Sequence, residues 1–294
     1  MSYYSRKEYL IKYYFLATGV LAVGLLAGIF AMLFINGIQM FDEVSFGKFF
    51  FSVDWNPSAY GEAGYGILSL VVSTLMVSVG SMIIAIPLGV GTAAYISDVA
   101  PTKVREVLKP VVEMIAGIPS VVVGFFGIVW LGPFLANLFG LSSGLNAMNG
   151  SILLAFMALP TIVSVSEDAL RSVPRDYKSA SYALGVNRWR TLIQITIPSA
   201  SSGIIAAIML GFGRAIGETM TVLMATGNAR EMPGSFFDSV RTMTANIAIE
   251  LGEVPYFTTH YYALFAVGLI LFLMTLVVNY TSEVIARRSR KHKR

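Results

Sequence analysis

The chain has 294 residues, 55% of them hydrophobic and 13% charged, with a mean hydropathy of +0.70 and a formal net charge of +4. Soluble domains carry about 25% charged residues, so this deficit argues against a water-soluble fold and for an integral membrane protein. The absence of cysteine excludes disulfides, thiolate metal sites and thiol catalysis, and two histidines, His260 and His292, are too few for a histidine-rich metal site.

Six apolar segments are predicted, at 13–37, 67–96, 110–135, 150–170, 201–226 and 261–286. Each is long enough to cross a hydrocarbon layer as a helix, since roughly 20 residues suffice. The predicted fold class is all-α integral membrane with six transmembrane helices. Before the first segment stand Arg6, Lys7 and Lys12. The apolar run that follows is too long for a signal peptide and lacks a small-x-small cleavage site, so it is expected to be a retained signal-anchor helix. Residues 1–66 then form this anchor and an outer loop, and 67–294 form the core.

Lysine and arginine set the expected orientation. Of 21 such residues, 17 fall in the terminal and alternate connecting segments that share one side. Only Lys48, Arg230 and Arg241 fall on the other. The basic side is expected to be cytoplasmic, with both termini inside. The tail from Arg287 to Arg294 reads as a topology anchor beside lipid rather than a nucleic-acid contact. The opposite segments hold Asp42, Glu43, Asp54, Glu62, Glu231, Asp238, Glu250 and Glu253, a net acidic face that would repel a free anion.

Within the fifth apolar segment, Arg214 and Glu218 stand four residues apart in an otherwise uncharged run. Charges at the centre of a membrane helix cost about 2.5–3.5 kcal/mol each, so both should face a partner, a bundle interior or water. The i, i+4 spacing places them on one face, where they can offset one another. A guanidinium is a planar, permanently charged fork that matches oxyanion oxygens two at a time. Glu218 would keep it displaceable, and Thr219 and Thr221 would add hydroxyls. The alternative is a static bridge locking two helices. Glu113 is a further intramembrane carboxylate, or else a residue near the membrane edge paired with Lys109, again at i, i+4.

Segment 171–200 is long, amphipathic and too polar to span. Its core is Ser179-Ala180-Ser181-Tyr182-Ala183-Leu184-Gly185, then nine residues, then Ile195-Thr196-Ile197-Pro198. Small residues suit a short helix that docks in a groove of another protein. Gly185 permits a sharp turn, and Pro198 is expected to end the segment before the next span. A surface helix anchored by Arg188, Trp189 and Arg190 is the alternative.

This spacing resembles the "EAA" loop of binding-protein-dependent ABC importer permeases, with Ser179 where glutamate is usual. The resemblance implies a coupling helix, with Ser179, Ala180, Ser181, Ala183, Gly185 and Pro198 meeting an ATPase subunit. The chain has no G-x-x-x-x-G-K-[ST], so it holds no phosphate-cradling loop for ATP, and no cofactor is expected. The run Ala207 to Met220, including Gly213-Arg214-Ala215-Ile216-Gly217-Glu218-Thr219, resembles the fifth helix of phosphate-specific ABC transporter permeases of the PstC type. Asp54-Trp55-Asn56-Pro57 with Tyr60-Gly61, and Glu113-x-x-Ala116-x-Ile118-Pro119-Ser120, are similar to the outer loop and third helix of that subunit.

The resemblance implies a type I (MetI-like) importer permease fold. It implies a phosphate pathway through Arg214, Glu218, Thr219 and Glu113. It further implies a second permease of the PstA type, two copies of an ATP-binding subunit and an extracytoplasmic phosphate-binding protein. From chemistry alone, sulfate or molybdate would suit the guanidinium equally. An intramembrane enzyme using Glu218 or Glu113 as base lacks any adjacent nucleophile or histidine cluster. A passive channel would leave 171–200 without a role.

Overall fold

The structure, a computed structural model, describes residues 3–58 and 63–291; Tyr60, Gly61 and Glu62, and His292, Lys293 and Arg294 of the tail, fall outside the described residues. Helix α1 (Tyr3–Gln39) leads through a 3-10 turn to a short α2 (Phe46–Phe51). A small antiparallel hairpin follows, β1 (Trp55–Asn56) with β2 (Gly64–Tyr65), in the register Trp55 opposite Tyr65. Then come α3 (Leu68–Ala94), α4 (Thr102–Ala116), α5 (Ser120–Phe126), α6 (Gly132–Phe139) and α7 (Ala147–Arg171). The second half holds α8 (Arg175–Ala183), α9 (Arg188–Thr191), α10 (Ile197–Gly217), α11 (Met220–Ala225), α12 (Met243–Glu250) and α13 (Thr259–Lys291).

Among the described residues, six helices are long and apolar enough to cross a membrane, at Glu8–Asp42, Leu68–Val99, Ser120–Phe139, Ala147–Arg171, Arg188–Gly217 and Thr259–Ile285. Their number matches the expectation from hydropathy. The starts of two spans differ, and both for backbone reasons. The third span begins at Ser120, not near 110, because Gly117, Ile118 and Pro119 break the chain after α4. Proline disfavours helical backbone at the residue before it, and glycine ends α4 cheaply. That leaves α4 as a separate amphipathic helix with no fully buried residue.

The second difference is Pro198, which does not end a segment. Leu192–Thr196 forms a π-helical turn that joins α9 directly to α10, and Pro198 lies in the first turn of α10. There its missing N–H costs little, and the widened turn beside it accommodates the ring.

Helix α7 is the hub of the bundle, packed between α3 and α10. Ile162 sets the spacing. A Cβ on Gly89 of α3 would stand 2.7 Å from Ile162, and one on Gly211 of α10 would stand 2.8 Å from it. Two glycines therefore form the slots that let three helices share one branched side chain. Val77, Ala85, Leu154, Ala158 and Ala215 continue this core. Helix α1 packs along α13, where Gly37 lies against the Ala266 backbone and Phe30 against Phe272. From Tyr9 to Ile29 its apolar side chains are exposed.

Candidate functional site

The fifth span does not run through Arg214 and Glu218 as one helix. α10 stops at Gly217, Glu218 takes an extended conformation (φ −69°, ψ 132°), and α11 starts afresh at Met220. Glycine's low helix propensity and the β-branched Thr219 weaken the helix there. The Glu218 carboxylate then serves the new helix start, accepting the Thr221 N–H and hydroxyl, each at 3.4 Å. Its own carbonyl accepts the Thr244 hydroxyl at 2.8 Å. The Thr219 hydroxyl turns back to the Gly217 carbonyl at 3.4 Å.

The expected Arg214–Glu218 pair is therefore not formed. No carboxylate lies within 4 Å of the Arg214 guanidinium among the described residues. The i, i+4 argument fails because it requires continuous helix between the two positions. Arg214 instead stands exposed on the flank of α10 that also carries Leu210 and Gly217, and Met220 of α11 is exposed just beyond the break. The flank next to it, with Ala207, Gly211 and Ala215, is the packed one.

Glu113 lies exposed on α4, outside the third span, and Lys109 does not pair with it. Lys109 reaches Glu167 of α7 instead, at 2.7 Å, with Asp168 at 3.4 Å. Arg171 meets the other oxygen of Glu167 at 2.6 Å, four residues along the same helix. Glu167 is 1% exposed. Its hydrogen bond and charge hold the Lys109 ammonium above its ordinary pKa, against the opposing effect of burial. Glu167 stands from Arg171 at the same i, i+4 spacing that singles out Arg214.

Segment 171–200 folds as two short helices joined at Gly185, which adopts φ +76°, the left-handed region that an L side chain resists. Ser181 is the anchor of this turn, buried and sharing a hydrogen bond of 2.8 Å with Thr191. Ser179, Ala180, Ala183, Gly185 and Pro198 are exposed. So are Tyr177, Tyr182, Leu184 and Trp189, and Leu184 reaches 83% exposure. Lys178 ties α8 to Asp98 in the π-helical turn that follows α3.

At the opposite end, four donors from three segments converge on Glu250 of α12. Trp55 of the hairpin donates its indole N–H to both carboxylate oxygens, at 3.2 and 3.0 Å. Arg241 approaches at 2.9 Å, Arg230 at 3.3 Å and His260 at 2.8 Å. Burial alone would raise the carboxyl pKa, but the His260 and Trp55 hydrogen bonds and the nearby cations hold it below the ordinary value. Burial, then the charge of Arg230, lowers that of Arg241. Glu250 was read from sequence as part of an acidic outer face, yet it is buried and matched by cations. Trp55 and Glu250 lie 195 positions apart, so no local pattern could have joined them.

Residues 85–291 match the family described as binding-protein-dependent transport system inner membrane component. Among known relatives, the "Probable ABC transporter permease protein YqgH" of Bacillus subtilis is 38% identical over 255 residues, covering 85% of this chain and 82% of that protein. The phosphate transport system permease protein PstC of Mesorhizobium japonicum is 32% identical, covering 89% of this chain and 84% of that protein. Among solved structures, a bacterial ABC transporter involved in the import of the acidic polysaccharide alginate aligns with a TM-score of 0.64 at 15% identity, over 96% of both chains. The MetNI methionine ABC transporter aligns with a TM-score of 0.56 at 19% identity, over 76% of this chain and 94% of that chain. These likenesses support the MetI-like importer fold.

Proposed function

From the premise that this chain belongs to the family of binding-protein-dependent transport system inner membrane components, we propose that it is the permease subunit of an ATP-driven phosphate importer. One observation carries the proposal. Arg214, on an apolar membrane helix, has no ion-pair partner among the described residues and lies on an open flank beside a break in that helix. A permanent cation at such a depth requires water or an anion opposite it. A guanidinium offers an oxyanion two parallel donors, and a transient anionic cargo meets that requirement without locking the helix.

In this reading, a second permease subunit of the PstA type covers the open flank and closes the pathway. Glu218 and Thr219 lie beside Arg214 at the break, where the backbone can change direction between outward- and inward-open states. The exposed face of α8 and the Gly185 turn seat one of two copies of an ATP-binding subunit on the cytoplasmic side, in line with the lysine and arginine bias. An extracytoplasmic binding protein delivers phosphate to the opposite face. Relatives that bear phosphate transport in their names support phosphate as the cargo.

The test is uptake of labelled phosphate by the complex reconstituted with its partners in proteoliposomes. Arg214→Gln should reduce uptake about 100-fold, the upper range for lost charge-assisted hydrogen bonds, while the subunits still assemble. Uptake of labelled sulfate or molybdate by the same complex, with no uptake of labelled phosphate, would assign a different oxyanion. Normal uptake by Arg214→Gln would remove the arginine from the pathway altogether.

A further inference from the structure

Helix α12 touches the break in the fifth span at one end and the Glu250 cluster at the other. At its start, the Thr244 hydroxyl donates to the Glu218 carbonyl at 2.8 Å and shares a contact of 3.0 Å with Thr242. The Met243 N–H donates to the Thr74 hydroxyl of α3 at 3.0 Å. At its end, Glu250 collects Trp55, Arg230, Arg241 and His260. Asn246, between the two, accepts from Arg241 at 3.3 Å. Eight residues of helix span about 12 Å, so both ends belong to one short, stiff rod. Met243, Thr244, Ala245, Asn246 and Glu250 are all buried.

A buried polar rod of this kind costs free energy unless every end is satisfied, which makes its placement specific. At the Glu218 end the contact is to backbone, not to a side chain that could rotate away. Through the Thr244 hydroxyl, a displacement of Glu250 would bear on the carbonyl of Glu218. The Glu250 end, in turn, is set by the hairpin through Trp55 and by the 227–241 loop through Arg230, whose side chain is 37% exposed.

We propose that Glu250 is a positioning residue for transport, which acts through α12 and Thr244 to set the backbone at the Glu218–Thr219 break. The outer loops thereby report their arrangement to the segment that carries Arg214. The inference rests on the pathway reading of Arg214, but its test does not depend on which anion is carried.

The chain is free of cysteine, so an introduced residue is its only thiol, and labelling is read on this subunit after the complex is separated by electrophoresis. Met220→Cys suits this purpose, because Met220 is exposed just beyond the break and leaves Gly217 and Thr219 in place. In the assembled complex in proteoliposomes, the labelling rate of this thiol by a small water-soluble maleimide should change about fivefold with Thr244→Val, the effect of one lost buried hydrogen bond. Glu250→Gln should change the rate in the same direction, and the two substitutions together should have no more effect than the larger alone. Thr244→Ser, which keeps the hydroxyl, should restore the original rate. Additive effects, or failure of Thr244→Ser to restore the rate, would reduce the Glu250 cluster to a local staple. Assembly of each variant, followed by co-purification of the ATP-binding subunit, separates these outcomes from misfolding.

Discussion

Two regions that carry glutamate and arginine four residues apart, the end of α7 and the end of α10, behave in opposite ways. Glu167 and Arg171 meet at 2.6 Å near the end of α7, with Lys109 of α4 closing the other side of the carboxylate. Arg214 and Glu218 do not meet, because α10 ends between them. The order of charges also differs. Glutamate precedes arginine in the first pair, the orientation that suits the helix dipole, and follows it in the second. Equal spacing thus yields a lock in one helix and a free cation in the other. What separates them is helix continuity, which depends on Gly217 and Thr219 rather than on either charge.

This contrast predicts different consequences for stability and transport. Glu167→Gln should cost about 2 kcal/mol, since it removes the charge-assisted hydrogen bond from Lys109 and the charge contact with Arg171 at a buried carboxylate. Thermal unfolding of the purified complex in detergent should show it, while the half-saturation concentration for phosphate uptake stays unchanged. Arg214→Gln should do the reverse, changing stability by less than about 0.5 kcal/mol, as expected where no ion pair is lost.

A smaller effect concerns pH. The folded-state pKa of Lys109 is raised, so its ion pair contributes stability in full below the unfolded lysine value of about 10.4, and that contribution disappears as pH rises through the higher folded value. Unfolding midpoints measured from pH 9 to 12 should fall over this window in the parent protein, and Lys109→Met should flatten that part of the profile.

The elements that sequence revealed are those with local signals. Six apolar runs gave six spans, and the 171–200 pattern placed Gly185 where the chain takes φ +76°. Arg214 was singled out correctly as a charge in an apolar helix, but its pairing was inferred from a helix that Gly217 interrupts. The third span starts later than hydropathy predicts because the valines and isoleucine of α4 sustain an apolar signal across the break at Pro119. The Glu250 cluster was invisible for another reason. Its members come from the hairpin, the 227–241 loop, α12 and α13, and only folding brings them together. Long-range polar convergence leaves no periodicity in a sequence.

The central claim is that Arg214 serves an anion and not Glu218, and a charge swap tests it most directly. The double variant Arg214→Glu with Glu218→Arg keeps any mutual attraction but moves the guanidinium past the break. In phosphate uptake by proteoliposomes, the double variant should be as inactive as Arg214→Glu alone. Recovery of uptake in the double variant would show that the two residues act as a bridge and would contradict the account.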